Sequence, residues 1–120
     1  MNHPKVSVII VNWNGKKYLE VCLSSVFNQT YPDYEVILVD NGSTDGSIEY
    51  IKNNFSKVKL IELNKNYGFA KANNIGIKEA FKNSDIKYVI TLNNDTLTDI
   101  NWLFFLVRVM ETDSSIGSPP

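Results

Sequence analysis

The sequence alternates four short apolar runs with four segments of helical spacing, and this alternation limits the folds that the chain can adopt. The runs are rich in β-branched residues and occupy residues 5–11, 35–39, 58–63 and 87–92. Apolar residues recur every three or four positions over residues 16–28, 48–55, 69–82 and 99–111. Short buried strands that alternate with helices predict a mostly parallel sheet with helices on both faces. We therefore expect a three-layer α/β fold.

Composition excludes several classes of protein. The chain has 120 residues and a formal net charge of -1, so no basic surface predicts binding to nucleic acid. The hydrophobic fraction of 43% is ordinary for a globular domain and argues against disorder. The longest apolar run, residues 102–107, is far shorter than the roughly 20 residues that span a bilayer. The single cysteine, Cys22, lies in a helical pattern and is interpreted as a small core residue.

Three of the predicted strands end in polar loops. These loops are residues 12–14, 40–43 and 93–95. A parallel sheet brings the C-terminal ends of its strands to one edge, which is where open α/β sheets bind ligands. The three loops together offer a tryptophan ring, two carboxylates and several amides. Such a set suits a base, a divalent cation and a diphosphate.

Each of these residues also has an ordinary structural interpretation. Trp13 can pack on its neighbours, and Asp40, Asp45 and Asp95 are of a type that turns and helix N-termini favour. The sequence has no Walker phosphate loop and no G-x-G-x-x-G motif. Its only histidine is His3, which excludes a Ser-His-Asp triad, and no cysteine or histidine spacing predicts a zinc site.

Several stretches taken together resemble a known family. Residues 6–14, 23–31 and 36–47 resemble the opening of inverting family-two glycosyltransferases, which have the GT-A fold. Residues 66–76 and 92–96 resemble the rhamnosyltransferase-like branch of that family. The resemblance implies a GT-A (Rossmann-like) three-layer sandwich with a mostly parallel sheet, apparently truncated. Residues 1–112 would be its N-terminal, nucleotide-sugar-binding part, and residues 113–120 a tail or the start of a missing acceptor-binding half.

The resemblance also implies roles for individual residues in nucleotide-sugar binding. Val11 and Trp13 match residues that contact the base and ribose. Asp40 matches the aspartate that binds uracil or thymine. Asn73 and Asn74 match a segment near the diphosphate and the sugar.

The DXD-like motif of the family corresponds to Asn93-Asn94-Asp95, which has amides where many members have aspartates. Asp95 is the expected ligand of magnesium or manganese, and Asn94 is expected near the ribose or the diphosphate. One carboxylate holds a cation more weakly than two. We therefore expect metal binding that is weak and depends on the nucleotide, or that is dispensable.

The resemblance implies that the full protein is an enzyme. It would transfer a sugar from a UDP- or dTDP-linked donor to an acceptor hydroxyl with inversion, in cell-surface polysaccharide synthesis. The acceptor would be a glycan or a lipid-linked saccharide, and the protein would work in the cytoplasm, at or near the inner face of the membrane.

Two further expectations follow from the resemblance and the length of the chain. The resemblance implies a general base well beyond the DXD-like motif, which is expected beyond Pro120, so residues 1–120 should bind the donor nucleotide without turnover. An uncovered sheet edge would make a homodimer possible. The alternative is a non-catalytic nucleotide-binding or interaction domain that keeps the fold.

Overall fold

The computed structural model describes residues 3–112 and confirms the alternation of strands and helices. The elements in chain order are β1 Lys5–Asn12, α1 Lys16–Phe27, β2 Tyr34–Asp40, α2 Ser47–Asn54, β3 Lys59–Glu62, α3 Phe69–Ala80, β4 Ile86–Asn93 and α4 Trp102–Thr112. Every boundary lies within three residues of its prediction. None of these helices is both long enough and apolar enough to cross a membrane. The expected tail, residues 113–120, falls outside the described residues.

Helix α4 begins three residues later than predicted because Asp99 forms a turn ahead of it. Its carboxylate Oδ2 accepts a hydrogen bond from the Asn101 N–H at 2.9 Å, and its carbonyl accepts one from the Trp102 N–H at 3.0 Å. Buried Gln29, just after α1, accepts the Leu103 N–H at 2.9 Å. The end of α1 therefore holds the start of α4, and with it the segment that follows β4.

The four strands are parallel and lie in the order β3-β2-β1-β4. Val11 of β1 lies between Val39 of β2 and Asn93 of β4. One residue further on, Asn12 pairs with Asp40. The C-terminal ends of the strands therefore meet at one edge of the sheet, as the sequence predicts.

Helices cover both faces of the sheet. On one face, α1, α2 and α4 pack through buried side chains that include Leu19, Ile51 and Leu103. On the other face, α3 packs through Ala72 and Ala80. The predicted three-layer α/β fold class is therefore confirmed.

Strand β4 forms one edge of the sheet within the described part of the chain. There it pairs with β1 alone, and the Thr91 side chain is exposed. An unpaired edge leaves backbone N–H and C=O groups available to a further strand. The uncovered edge expected from the sequence is present, and the homodimer stays a prediction.

Candidate functional site

A cleft of about 410 Å³ opens at the C-terminal edge of the sheet. Its volume is within the range of small-ligand sites. Residues from the ends of three strands and from the loop before α3 line it: Val11, Trp13, Asn41, Asn66, Gly68, Phe69, Asn93, Asn94 and Asp95. The polar loops that the sequence places at one edge therefore converge on a single cleft.

The structure brings four of the predicted site residues together in this cleft: Val11, Trp13, Asn94 and Asp95. Two others are not in its lining. Asp40 lies beneath the cleft, and Asn73 is a half-buried residue of α3. Asn74, also on α3, borders a separate depression.

Asp40 is enclosed by protein donors. Its side chain is 0% exposed. Oδ2 accepts the Ser43 N–H at 2.8 Å, while Oδ1 accepts the Ser43 hydroxyl at 2.8 Å and Asn12 Nδ2 at 3.0 Å. Both carboxylate oxygens are thus used inside the protein, as buried polar groups require. The direct contact with a base expected of Asp40 is not prepared in this geometry and stays a prediction.

Asn12 connects Asp40 to the loop after β4. Besides Asp40, Asn12 Nδ2 has Ser43 Oγ as an acceptor at 3.3 Å, and Asn12 Oδ1 accepts Asn94 Nδ2 at 2.9 Å. Gly15 packs directly on this last contact. A Cβ at position 15 would lie 2.3 Å from Asn94 Nδ2 and 2.6 Å from Asn12 Oδ1. Only glycine leaves room for the hydrogen bond between the two asparagines.

Asn41 is a cleft residue that sequence reasoning missed. Its Oδ1 accepts the Tyr67 N–H at 2.9 Å, and its Nδ2 donates to the Gly68 carbonyl at 3.1 Å, so it anchors the loop that forms one wall. The next residue, Gly42, has a φ of +81°, and a Cβ there would meet the Lys65 backbone at 2.7 Å. The signal in the sequence was the polar run 40–43, of which only Asp40 matches a base-binding residue of the family.

Two aromatic rings border the cleft with large exposed surfaces. Trp13 is 54% exposed and Phe69, the first residue of α3, is 59% exposed. The packing interpretation of Trp13 does not account for a ring that is more than half exposed. Phe69 was predicted only as the start of a helix, although it lies in a segment that carries the family resemblance.

Asp45 holds two helix N-termini outside the cleft. Its carboxylate accepts the Lys16 N–H at the start of α1 at 3.0 Å, and the Ser47 N–H at the start of α2 at 3.0 Å. Partial burial would raise the pKa of Asp45, but hydrogen bonds from Ser47 and Lys16 outweigh that effect and lower it. These contacts match the interpretation of Asp45 as a turn and capping residue.

Cys22 lies under the loop that carries the DXD-like motif. Its Sγ donates to the Asn93 carbonyl at 3.7 Å. Burial raises the pKa of the Cys22 thiol to about 11, a backbone hydrogen bond at Thr96 opposes this, and the negative charge of Asp95 adds to it. A thiol with that pKa is protonated at neutral pH, so it serves as a core residue and not as a nucleophile.

The residues at the end of β4 fit a cation that is shared with a ligand. Asp95 is exposed and contributes the carboxylate, with the Asn94 amide beside it in the lining. No cluster of three or more histidine, cysteine, aspartate or glutamate side chains occurs among residues 3–112. Magnesium is usually held by one or two carboxylates together with phosphate oxygens, and this donor set matches that pattern.

Comparison with known proteins identifies the family. The model of the family "Glycosyl transferase family 2" matches residues 7–119. This chain is a member of glycosyl transferase family 2. The chain spans about a third of the length of the first curated relatives of the family that it matches.

Proteins similar to this chain include a poly-beta-1,6-N-acetyl-D-glucosamine synthase of Staphylococcus epidermidis. It is 31% identical over 116 residues, which are 94% of this chain and 27% of the synthase. Residues 1–349 of S. aureus TarS, solved in complex with UDP-GlcNAc, superpose with a TM-score of 0.77. That match is 27% identical and covers 89% of this chain and 31% of TarS 1–349.

A mannosyltransferase from Pyrobaculum calidifontis, PcManGT, was solved with GDP-Man and Mn2+. It superposes with a TM-score of 0.66 at 25% identity, covering 80% of this chain and 29% of the other. The fold of this chain is therefore the GT-A fold, of which the described residues form one part. The rhamnosyltransferase-like branch expected from the sequence stays a prediction.

Proposed function

We propose that the full protein transfers a sugar from a UDP- or dTDP-linked donor to an acceptor hydroxyl with inversion, and that residues 3–112 bind the donor nucleotide. The observation that carries the proposal is the cleft in which Trp13, Asn94 and Asp95 meet at the C-terminal edge of a parallel sheet. Ligands of open α/β sheets bind at this edge. The complex of the related TarS with UDP-GlcNAc supports a uridine donor.

The exposed Trp13 ring suits stacking on the base of the donor. Aromatic stacking tolerates different bases, so the ring does not by itself choose between uracil and thymine. Val11, near the end of β1, is a buried residue of the same lining. Discrimination between bases then depends on polar groups around the cleft, and Asp40 remains the proposed base contact.

A divalent cation, magnesium or manganese, would be held by Asp95 together with the donor diphosphate. When bound, such an ion neutralises negative charge that develops on a leaving diphosphate. The Mn2+ complex of the related mannosyltransferase supports this part of the proposal. Since Asp95 is the one carboxylate in the cleft lining, affinity for the cation is expected to depend on the nucleotide.

Acceptor binding and the general base are assigned to parts of the full protein beyond these residues. The acceptor is proposed to be a glycan or a lipid-linked saccharide, in rhamnosyltransferase-like synthesis of cell-surface polysaccharide at the cytoplasmic face of the membrane. The related poly-N-acetylglucosamine synthase supports the polysaccharide class. Residues 1–120 alone are expected to bind nucleotide and to transfer no sugar.

Calorimetric titration of the 120-residue chain with UDP and dTDP, each with and without manganese, tests the proposal. We expect Trp13→Ala to weaken nucleotide binding about 10- to 100-fold, because base stacking on an aromatic ring contributes about 1–3 kcal/mol. Asp95→Asn should remove the dependence of affinity on manganese.

Phe105→Ala is the matched control for Trp13→Ala. Phe105 is an aromatic residue of α4 that is 65% exposed and does not line the cleft, so its loss should leave nucleotide binding unchanged. If the folded chain binds neither nucleotide, the donor-binding proposal is wrong and the non-catalytic alternative gains support. Sugar transfer by the 120-residue chain would contradict the assignment of the base to another part of the protein.

A further inference from the structure

The hydrogen bonds beneath the cleft form a chain that runs from Asp40 through Asn12 to Asn94. We propose that Asp40 is a positioning residue that orients the Asn94 carboxamide, through Asn12, so that Asn94 Oδ1 and not Nδ2 faces the ligand. The inference rests on the proposed donor site for the identity of that ligand. The orientation of the Asn94 carboxamide is a property of the protein itself and can be tested without any ligand.

The first step is the orientation of Asn12. An aspartate carboxylate only accepts hydrogen bonds, so the Asn12 group 3.0 Å from Asp40 Oδ1 must be the donor nitrogen. The other N–H of that nitrogen has Ser43 Oγ as its acceptor at 3.3 Å. Reversing the Asn12 amide would place its oxygen against the carboxylate, two acceptors in a buried site.

The orientation of Asn12 then determines the orientation of Asn94. With its nitrogen held by Asp40 and Ser43, Asn12 presents Oδ1 towards Asn94, and that oxygen accepts Asn94 Nδ2 at 2.9 Å. The Asn94 amide is therefore turned with its nitrogen inward. This is the one hydrogen bond of the Asn94 side chain among residues 3–112, so its Oδ1 is available on the cleft side, next to Asp95.

The orientation has a chemical consequence for the ligand. Two neighbouring oxygens, one from Asn94 and one from the Asp95 carboxylate, suit a hard divalent cation or a sugar hydroxyl. An amide nitrogen at the same place would repel the cation. The same hydrogen bonds also explain why position 94 carries an amide. A carboxylate there would oppose Asn12 Oδ1, and Asn12 cannot reverse to present its nitrogen instead.

Nuclear magnetic resonance of the unmodified chain tests the orientation directly. Scalar coupling across a hydrogen bond links the donor nitrogen to the acceptor carbon, so it reports which group donates. We expect coupling from Asn94 Nδ2 to the Asn12 side-chain carbonyl carbon, and from Asn12 Nδ2 to the Asp40 carboxyl carbon. Coupling from Asn12 Nδ2 to the Asn94 side-chain carbonyl carbon would overturn the proposal.

Asp40→Asn tests the role of Asp40. The new amide can donate to Asn12, which allows Asn12 and then Asn94 to reverse. We expect Mn2+ binding at saturating UDP to weaken about 10- to 100-fold, the usual effect of losing a residue that orients a metal ligand. Saturation with UDP keeps any effect of the substitution on base binding out of this measurement. An unchanged Mn2+ affinity in folded Asp40→Asn would overturn the proposal.

Asn94→Asp completes the test through thermal unfolding, which needs no ligand. In the wild-type background this change should lower the unfolding midpoint, because the new carboxylate opposes Asn12 Oδ1. In the Asp40→Asn background the reversed Asn12 can donate to it, so the loss should be smaller. Asp45→Asn is the matched control, because Asp45 contacts the helix N-termini and none of the three residues Asp40, Asn12 and Asn94. The Asp45→Asn change should not alter the effect of Asn94→Asp.

The two proposals fail in different ways. If wild-type protein binds neither UDP nor Mn2+, the donor-site proposal is wrong, and the couplings and unfolding midpoints still decide the orientation. If wild-type protein binds both UDP and Mn2+ but Asn94→Asp lowers the unfolding midpoint equally in the wild-type and Asp40→Asn backgrounds, the positioning role of Asp40 is wrong. Where Asp40→Asn does not fold, the couplings in the unmodified chain decide the matter.

Discussion

At the scale of single residues, burial decides chemistry more than residue type does. Asp40 and Asp95 are both aspartates next to strand ends, yet one is enclosed by three protein donors and the other is exposed in the cleft. Their different surroundings give them different tasks. A carboxylate whose oxygens are already bonded orders its neighbours, and an exposed one can meet a ligand.

Cys22 supports a prediction at the same scale. Its pKa, raised to about 11 from an ordinary value of 9.0, implies a thiolate fraction about 100-fold lower than that of a free thiol at pH 8. We expect alkylation by iodoacetamide at pH 8 to be at least about 100-fold slower in the folded chain than in denaturant, because the thiol is 1% exposed and almost fully protonated. The same chain in denaturant is the control. Comparable rates in the two states would contradict the assignment of Cys22 as a core residue.

At the scale of secondary-structure elements, contacts between segments distant in sequence set the positions of the helices. Gln29 holds the start of α4 through the Leu103 N–H, and Asp45 joins the starts of α1 and α2. Neither residue lines the cleft. Both determine where these helices begin, because unpaired N–H groups at a helix start need an acceptor.

Asp45→Ala is expected to lower the free energy of unfolding by about 1 kcal/mol at pH 7, the usual loss when a side chain that accepts backbone hydrogen bonds is removed. Because the pKa of Asp45 is lowered in the folded state, its contribution is present above about pH 4 and is lost as pH falls further. The difference between variant and wild type should therefore shrink below pH 4. Urea unfolding at a series of pH values measures it, and a difference that grows in acid would contradict the role.

At the scale of the whole molecule, the cleft is built from segments that are far apart in the chain. Residues of three strand ends and of the loop before α3 line it. A ligand that bridges them should stabilise the entire folded state. The ends of the strands and the α3 loop would then unfold together with the core.

We expect UDP or dTDP at 100 times its dissociation constant to stabilise the chain by about 2.7 kcal/mol, which corresponds to roughly 10 °C in the unfolding midpoint of a domain this size. Differential scanning calorimetry measures the shift. ADP at the same concentration, which carries the same diphosphate on a different base, is the control and should shift the midpoint less. Equal shifts from all three nucleotides would show that the chain does not discriminate between bases and would contradict the proposed donor preference.

Much of this protein follows from its sequence by local rules. Apolar runs of β-branched residues and helical spacing determined the order and type of all eight elements. Parallel pairing then placed three polar loops at one edge, which located the cleft, and the family resemblance indicated four of its residues. These inferences succeeded because each depends on residues close in the chain, or on a geometric rule for all parallel sheets.

Tertiary structure alone decided which polar side chains line the cleft and which lie beneath it. The adjacent residues Asp40 and Asn41 are both polar, and only the packing of β1 and the α3 loop places the first beneath the cleft and the second in its lining. The orientation of Asn94 depends on Asn12, which lies 82 residues earlier in the chain. Such hydrogen bonds arise from contacts between distant segments, so local sequence patterns carry no record of them.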